Sequence, residues 1–361
     1  MKLHYKTLLL LLLFPALVFS NNGKLKGKYT KEKSIKKEFS VNATAGLQVS
    51  NAYGNIDIVT WNENRTVIDV SIVTNGDNEE KVKQKLDEIT VEFSATGSLV
   101  TAKTLFKDRK NSWSLWGNNS NNVHMEINYT IKIPITNSVD LNNDYGAISL
   151  NRLKGNAKIN CDYGQLIIGE LLADNNYLNF DYTNKSTIEF MKSGKINADY
   201  SEFTLNKVEK LELIADYTQS EVKEVDDINY NCDYGKVTIG KARTIIGRGD
   251  YVTNNIGNAS GSINLNTDYG SIQVDRLTSG TKNIIISADY TRVKLGFDSN
   301  VNFNFVVDLS YASLKGEDYV TITKSSINNN SKVYSGYFGK QNSGNNVSIN
   351  SKYGGVTFIK N

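Results

Sequence analysis

Nine aspartates are each followed directly by tyrosine at near-constant intervals, and these are the residues whose type and spacing come nearest to chemistry. The pairs are Asp144-Tyr145, Asp162-Tyr163, Asp181-Tyr182, Asp199-Tyr200, Asp216-Tyr217, Asp233-Tyr234, Asp250-Tyr251, Asp268-Tyr269 and Asp289-Tyr290. Their tyrosines stand 18, 19, 18, 17, 17, 17, 18 and 21 residues apart. Tyr53, Tyr311 and Tyr353 share the context with Ala52, Ser310 and Lys352 in place of aspartate, whereas Asp318-Tyr319 is out of register. A column of carboxylates could bind Ca2+ or cationic groups, and paired carboxylates at a fixed separation are the equipment of glycoside hydrolysis. Charges about 4.8 Å apart repel by only about 1 kcal/mol in a water-like dielectric, so the column is tolerable without metal. The Gly-rich nonapeptide of calcium β-rolls is missing. No rung stands out from the others as a reaction centre would. The role favoured for the aspartate is structural: its side chain accepts backbone N–H groups of a bend, as in an Asx turn.

Other candidates are few. His124 lies on the polar side of an alternating strand, and one exposed histidine makes neither a zinc site nor a triad. Trp113 and Trp116 fall in a polar loop, where they could contact a sugar ligand or pin the loop to the body. Phosphate loops, zinc spacings and dinucleotide fingerprints are absent. No cofactor, metal or nucleic-acid partner is expected, and Ca2+ is the least improbable ion. The net charge of +3 argues neither for nor against a polyanionic partner.

The elements that must position the pairs follow from their flanks. Four residues before the tyrosine an aliphatic residue recurs (Leu141, Ile159, Ile196, Leu213, Leu265, Ile286), and two before it a compact one (Cys161, Ala198, Ala215, Cys232). Three and five residues after it come further aliphatics, such as Leu166 and Ile168 or Val237 and Ile239. Spacing of two on each side predicts strands with one buried face. The Gly, Ser or Thr that follows the tyrosine predicts a bend. Such a unit cannot bury its own apolar face, but stacked copies can. The expected fold is therefore all-β: a single-stranded parallel β-helix or β-solenoid of about 17–21 residues per rung, weakly favoured as right-handed. The tyrosine shares parity with the buried residues before it, and is expected to stack inside the corner with its hydroxyl reaching water or backbone. The aspartate is expected to point outward. Cys161 and Cys232 occupy the same slot four rungs apart, about 19 Å at the rung spacing. A disulfide needs Cα atoms within about 7 Å, so two free, buried thiols are expected.

Four regions are read along the chain. Residues 1–20 carry Lys2 and Lys6 and then an apolar run too short to span a bilayer, the order of a secretory signal peptide. Residues 21–39 form a basic lead-in, read as frayed and solvated. Residues 40–134 are an N-terminal β region with an amphipathic helix over Asn78–Ile89, expected to cover an otherwise aggregation-prone open end. Residues 135–361 form the Asp-Tyr repeat, continuous with the preceding region, and the segment around Tyr353 closes the last rung. No transmembrane segment is expected, and the predicted localisation is the periplasm, cell envelope or exterior.

The order of a strand, then Asn51-Ala52-Tyr53-Gly54-Asn55-Ile56-Asp57-Ile58 with Trp61, an amphipathic helix, Tyr129-Thr130-Ile131-Lys132-Ile133-Pro134 and Gly-centred strand repeats resembles the bacterial putative-adhesin family. These are β-strand-repeat domains of unknown function, related to the adhesin head domains named after a Gly-Ile-Asn motif (the GIN type). The resemblance spans most of residues 40–358. It implies an exported β-solenoid with a surface or adhesion role, and it carries no catalytic residues across. The expected function is a non-catalytic envelope or surface protein, an adhesin-like binding or structural rod whose partners are surface glycans or another envelope protein. The alternatives are a polysaccharide-active β-helix enzyme and a periplasmic structural or signalling partner.

Overall fold

The computed structural model describes residues 26–107 and 123–361. The signal-peptide reading and both loop tryptophans, Trp113 and Trp116, lie outside the described residues. The N-terminal region contains β1 (Tyr29–Ser40), β2 (Gly46–Ala52), β3 (Ile56–Trp61), β4 (Arg65–Gly76), α1 (Glu79–Glu88), β5 (Ile89–Ala95), β6 (Leu99–Phe106) and β7 (His124–Pro134). The repeats supply β8 (Ser138–Asp144), β9 (Ala147–Leu153), β10 (Ala157–Asp162), β11 (Gln165–Leu171), β12 (Asn176–Asp181), β13 (Ser186–Asp199), β14 (Glu202–Asp216), β15 (Gln219–Asn231), β16 (Lys236–Asp250), β17 (Thr253–Asp268), β18 (Ser271–Leu277), β19 (Asn283–Asp289) and β20 (Arg292–Phe297). The C-terminal region adds β21 (Phe303–Ser310), β22 (Leu314–Lys315), β23 (Thr321–Asn328), β24 (Ser331–Phe338), β25 (Asn346–Lys352) and β26 (Val356–Lys360).

Through the repeats each strand pairs in parallel with its equivalent one repeat on. β8 pairs with β10 and β10 with β12, aligning Asp144, Asp162 and Asp181. β9 pairs with β11 and β11 with β13. From β13 to β17 the two half-strands of a repeat run on as one bent strand, and the pairing stays parallel throughout. The residues before each tyrosine therefore build one face, and those after it another. Leu141, Ile159, Ile196, Leu213, Leu265 and Ile286 are buried in one continuous core with Ile148, Leu166, Phe203, Val237, Ile272 and Val293. One exchange of bulk between rungs is visible. Tyr230 is a large side chain in the core, and a Cβ on Gly247, its partner on the next rung, would lie 2.1 Å from the Tyr230 ring. Tyr230 donates its buried hydroxyl to Asn254 Oδ1 at 2.6 Å.

The sheet is mixed, not purely parallel as expected. At the N-terminal end β4 lies antiparallel between β1 and β7, and β5 is antiparallel to β6. At the other end β24 is antiparallel to both β21 and β23. These antiparallel strands cover the outermost parallel ones and put β1, β5 and β23, each with one partner strand among the described residues, at the sheet edges. The basic segment is likewise ordered from Tyr29 onward. Alternating partly buried residues (Tyr29, Lys31, Lys33, Ile35) let it pair along all of β4. Lys33 donates its ammonium to the carbonyls of Leu86 and Ile89 at 2.5 and 2.7 Å, where α1 ends. Helix α1 is capped by Asn78, whose side chain accepts from the Lys81 N–H at 3.0 Å. Val82 and Leu86 face inward against β1 and β4.

The penultimate strand, β25, does not follow β21 in space. β25 lies between β19 and β21, parallel to both, so that Asp289, Lys352 and Ser310 align in that order. The segment around Tyr353 fills an internal rung, because the β23–β24 hairpin occupies the far side of β21.

Candidate functional site

Each tyrosine of the repeat sits where the chain turns from one face to the other. The backbone there is left-handed at twelve of twelve positions, with φ between 50° and 63°. For an L-residue other than glycine this costs about 1–2 kcal/mol. The left-handed residue swings the side chain out of the core, so the rings lie on the surface, from 41% exposed at Tyr53 to 58% at Tyr311. This corrects the expectation of a tyrosine inside the corner. The next residue turns inward instead: Thr183, Ser201, Thr218 and Thr291 are buried, and the last three donate to the carbonyl of their own rung's aspartate at 2.8–2.9 Å.

The twelve rings form one unbroken column in the order Tyr53, Tyr145, Tyr163, Tyr182, Tyr200, Tyr217, Tyr234, Tyr251, Tyr269, Tyr290, Tyr353, Tyr311. Centroids are 4.7–5.2 Å apart and the planes within 11° of parallel. Each stacked pair contributes about 0.5–1.5 kcal/mol beyond burial, which is of the size needed to offset the backbone strain. At the first ring the column ends on the edge of Phe106. Because neighbouring rings cover each other's faces, the column presents ring edges and hydroxyls outward. Stacking against a flat ligand is thus blocked along its length.

The aspartates bind differently from an Asx turn. Tyr217 donates its backbone N–H to the Asp233 carbonyl of the next rung at 2.9 Å, and all twelve tyrosines make the equivalent bond. The carboxylate acts in the same direction. Asp181 Oδ1 accepts the Asp199 N–H, Asp199 Oδ1 that of Asp216, Asp216 Oδ1 that of Asp233, and Asp233 Oδ1 that of Asp250, at 2.8–3.3 Å. At these four positions the side chain therefore joins rungs instead of tying its own bend. Burial, and then the charge of neighbouring aspartates, raises the carboxyls of Asp162 and Asp250 above the ordinary range; at Asp181 burial is again the main cause. Among the described residues no three His, Cys, Asp or Glu side chains converge as metal ligands. Further out, pairs such as Lys195–Glu212 and Lys207–Glu224, both 2.7 Å, also link successive rungs.

Cys161 and Cys232 are free and buried beneath this edge, and burial pushes both thiols up to about 12. His124 is exposed on β7. Asp318 and Tyr319 belong to a short 3-10 turn and take no part in the column. Sequence reasoning missed the residues at the column's far end: Asn329, Asn330, Lys332 and Gly355, which line a pocket beside Tyr311.

No protein-family model and no curated protein matches the chain. Distant likenesses exist among solved structures. A putative adhesin from Parabacteroides distasonis aligns over 93% of this chain and 98% of its own, at 11% identity and a TM-score of 0.32. One from Bacteroides fragilis aligns over 91% and 97%, at 11% identity and 0.31. A putative cell adhesion protein from Clostridium sporogenes aligns over 92% and 100%, at 9% identity and 0.20. These scores are too low to carry a function across. No helix among the described residues is long and apolar enough to cross a membrane.

Proposed function

We propose that the chain is an exported, non-catalytic β-solenoid rod with an adhesin-like binding or structural role at the cell envelope or surface, and that the Asp-Tyr edge is the surface it displays. One observation carries this reading: the same exposed phenol recurs twelve times at a nearly constant step. Catalysis needs a constellation that differs from its surroundings. A column that repeats itself suits a repetitive partner, such as a surface glycan or the ordered face of another envelope protein, engaged through many weak contacts at once. Twelve rungs make an edge roughly 50 Å long at the strand spacing, enough for such a contact. Glycine would turn each corner without the backbone strain, and the tyrosine adds the stacking that offsets it together with an exposed ring edge and hydroxyl.

The test has two arms. Protease shaving of intact cells should remove the chain; protection would place it inside the envelope and sink the surface reading. Replacing Tyr182, Tyr217 and Tyr251 with phenylalanine keeps the stack and removes three exposed hydroxyls. Cells carrying that variant should adhere less than wild type, and unchanged adherence would detach binding from the column.

A further inference from the structure

We propose that the far end of the tyrosine column is a discrete sugar-binding pocket, selective for a pyranose that bears a carboxylate. It rests on the binding-rod reading only for the source of such a sugar; the pocket itself stands on its own geometry.

Tyr311 is the last ring of the column. Tyr353 covers one face, no other ring stacks on it among the described residues, and it is the most exposed ring of the twelve, at 58%. Beyond it lies the β23–β24 turn. Tyr311 donates its backbone N–H to the Asn330 carbonyl at 2.7 Å, the bond that every other ring makes to the next rung. The turn therefore sits at the level of a thirteenth rung, and Asn329, also left-handed at φ 43°, stands at its corner. An amide takes the place of a ring. The space between is a pocket of about 430 Å3, lined by Tyr311, Ser313, Asn329, Asn330, Lys332 and Gly355 among others.

Three features set this end apart from the uniform column. The aspartate is missing from both rungs that border the pocket, replaced by Lys352 and Ser310, so the row of carboxylates stops where the pocket begins. Asp308 is the one carboxylate left on β21. Lys332 adds a cation that makes no ion pair with a described residue. Gly355 is not required by the fold. A Cβ there would meet nothing nearer than 3.7 Å and its φ is not left-handed, whereas a Cβ on its neighbour Gly354 would lie 2.0 Å from the Thr291 carbonyl. The missing side chain at 355 leaves the pocket open without serving the packing.

A partly free aromatic ring, two exposed side-chain amides and one unpaired ammonium match the chemistry of an acidic sugar. The apolar face of a pyranose packs on the ring, the amides both donate to and accept from hydroxyls, and the carboxylate meets Lys332 in a charge-assisted bond. A polyanion laid along the aspartate row would be repelled, so the contact is to a chain end or a single residue.

Titration of the full chain with glucuronate, methyl glucoside and acetate, followed by calorimetry and saturation-transfer NMR, tests this. Glucuronate should bind, methyl glucoside roughly ten-fold more weakly for want of the charged bond, and acetate not measurably. Gly355→Gln fills the pocket and should abolish binding with unfolding unchanged. Lys332→Gln, at a strand position on the surface, should erase the preference for glucuronate over methyl glucoside. Lys223→Ala, exposed on β15 and away from the pocket, should bind as wild type does. The proposal is overturned if glucuronate fails to bind the folded wild-type chain, if acetate binds equally well, or if both pocket variants bind as wild type does. Such a failure leaves the shaving and adherence results standing, so the two readings fail separately.

Discussion

Replacing Tyr217 with glycine should leave the protein more stable than replacing it with alanine, the reverse of the order in an ordinary strand. Tyr217 has φ 53° and stacks on Tyr200 and Tyr234 at 4.9 Å each. Either substitution removes both stacked contacts, a loss of about 1–3 kcal/mol at the usual worth of an aromatic pair. Alanine keeps a Cβ in the left-handed region and so keeps the strain of about 1–2 kcal/mol. Glycine relieves that strain but adds about 0.5–1 kcal/mol of unfolded-state entropy. The glycine variant should therefore be the more stable by about 1 kcal/mol, with both below wild type. Lys223, exposed in β15, is the control, because there glycine should be the worse by up to about 1 kcal/mol. Urea unfolding followed by far-UV circular dichroism reads the difference, provided the slopes match. An alanine variant as stable as the glycine variant at Tyr217 would refute the claim that ring stacking holds a strained corner in place.

Three further outcomes follow from the same geometry. The raised carboxyl of Asp181 means that the folded state binds its proton more tightly than the unfolded state. Its contribution is therefore most favourable near and below the ordinary value of 3.8 and falls as pH rises through the folded pKa. Asp181→Asn keeps the acceptor oxygen and should lose that pH-dependent decline, measured as unfolding free energy from acid to neutral pH; an identical profile would sink the claim that burial raises this carboxyl. Cys161 and Cys232, held up near 12 by burial, should resist alkylation at mildly alkaline pH until the chain unfolds, and mass spectrometry showing rapid native labelling would contradict the buried slot. Gly247→Ala forces a Cβ against the Tyr230 ring and should cost about 1–3 kcal/mol, recovered in part by adding Tyr230→Leu; no loss in the single variant would show that the rung can shift freely.

Much of the repeat was legible because it is written in period. The tyrosine spacing marked the corner, and the aliphatics four before and three after it marked two buried faces. The outward tyrosine was legible too, but in a conflict of parity. Counted from Cys161, Tyr163 falls on the buried side; counted from Leu166, it falls on the exposed side. Two buried sets an odd number apart cannot share one extended strand. One residue between them must leave the β region, and the left-handed tyrosine is that residue. The inter-rung bond of the aspartate could not be read this way, since composition does not say whether a carboxylate points around its bend or toward the neighbouring strand. The placement of β25 was hidden for another reason. Tyr290, Tyr311 and Tyr353 occur in that order in the sequence, but the column runs Tyr290, Tyr353, Tyr311. Pairing across that distance leaves no local pattern. The pocket beside Tyr311 depends on this placement and was hidden with it.

The insertion of β25 between β19 and β21 governs how this end of the molecule comes apart. An outermost strand peels off after losing one row of hydrogen bonds. β25 is held by two rows, one to each neighbour. β21 joins β19 in the sheet through β25, and Phe303 at its start also packs on Phe297 of β20 at 5.2 Å. Removing β25 therefore means withdrawing a strand from between two partners, with both rows of hydrogen bonds broken. The interior position thus makes this end harder to peel than an outermost strand would be, because two rows must be lost where an edge strand loses one.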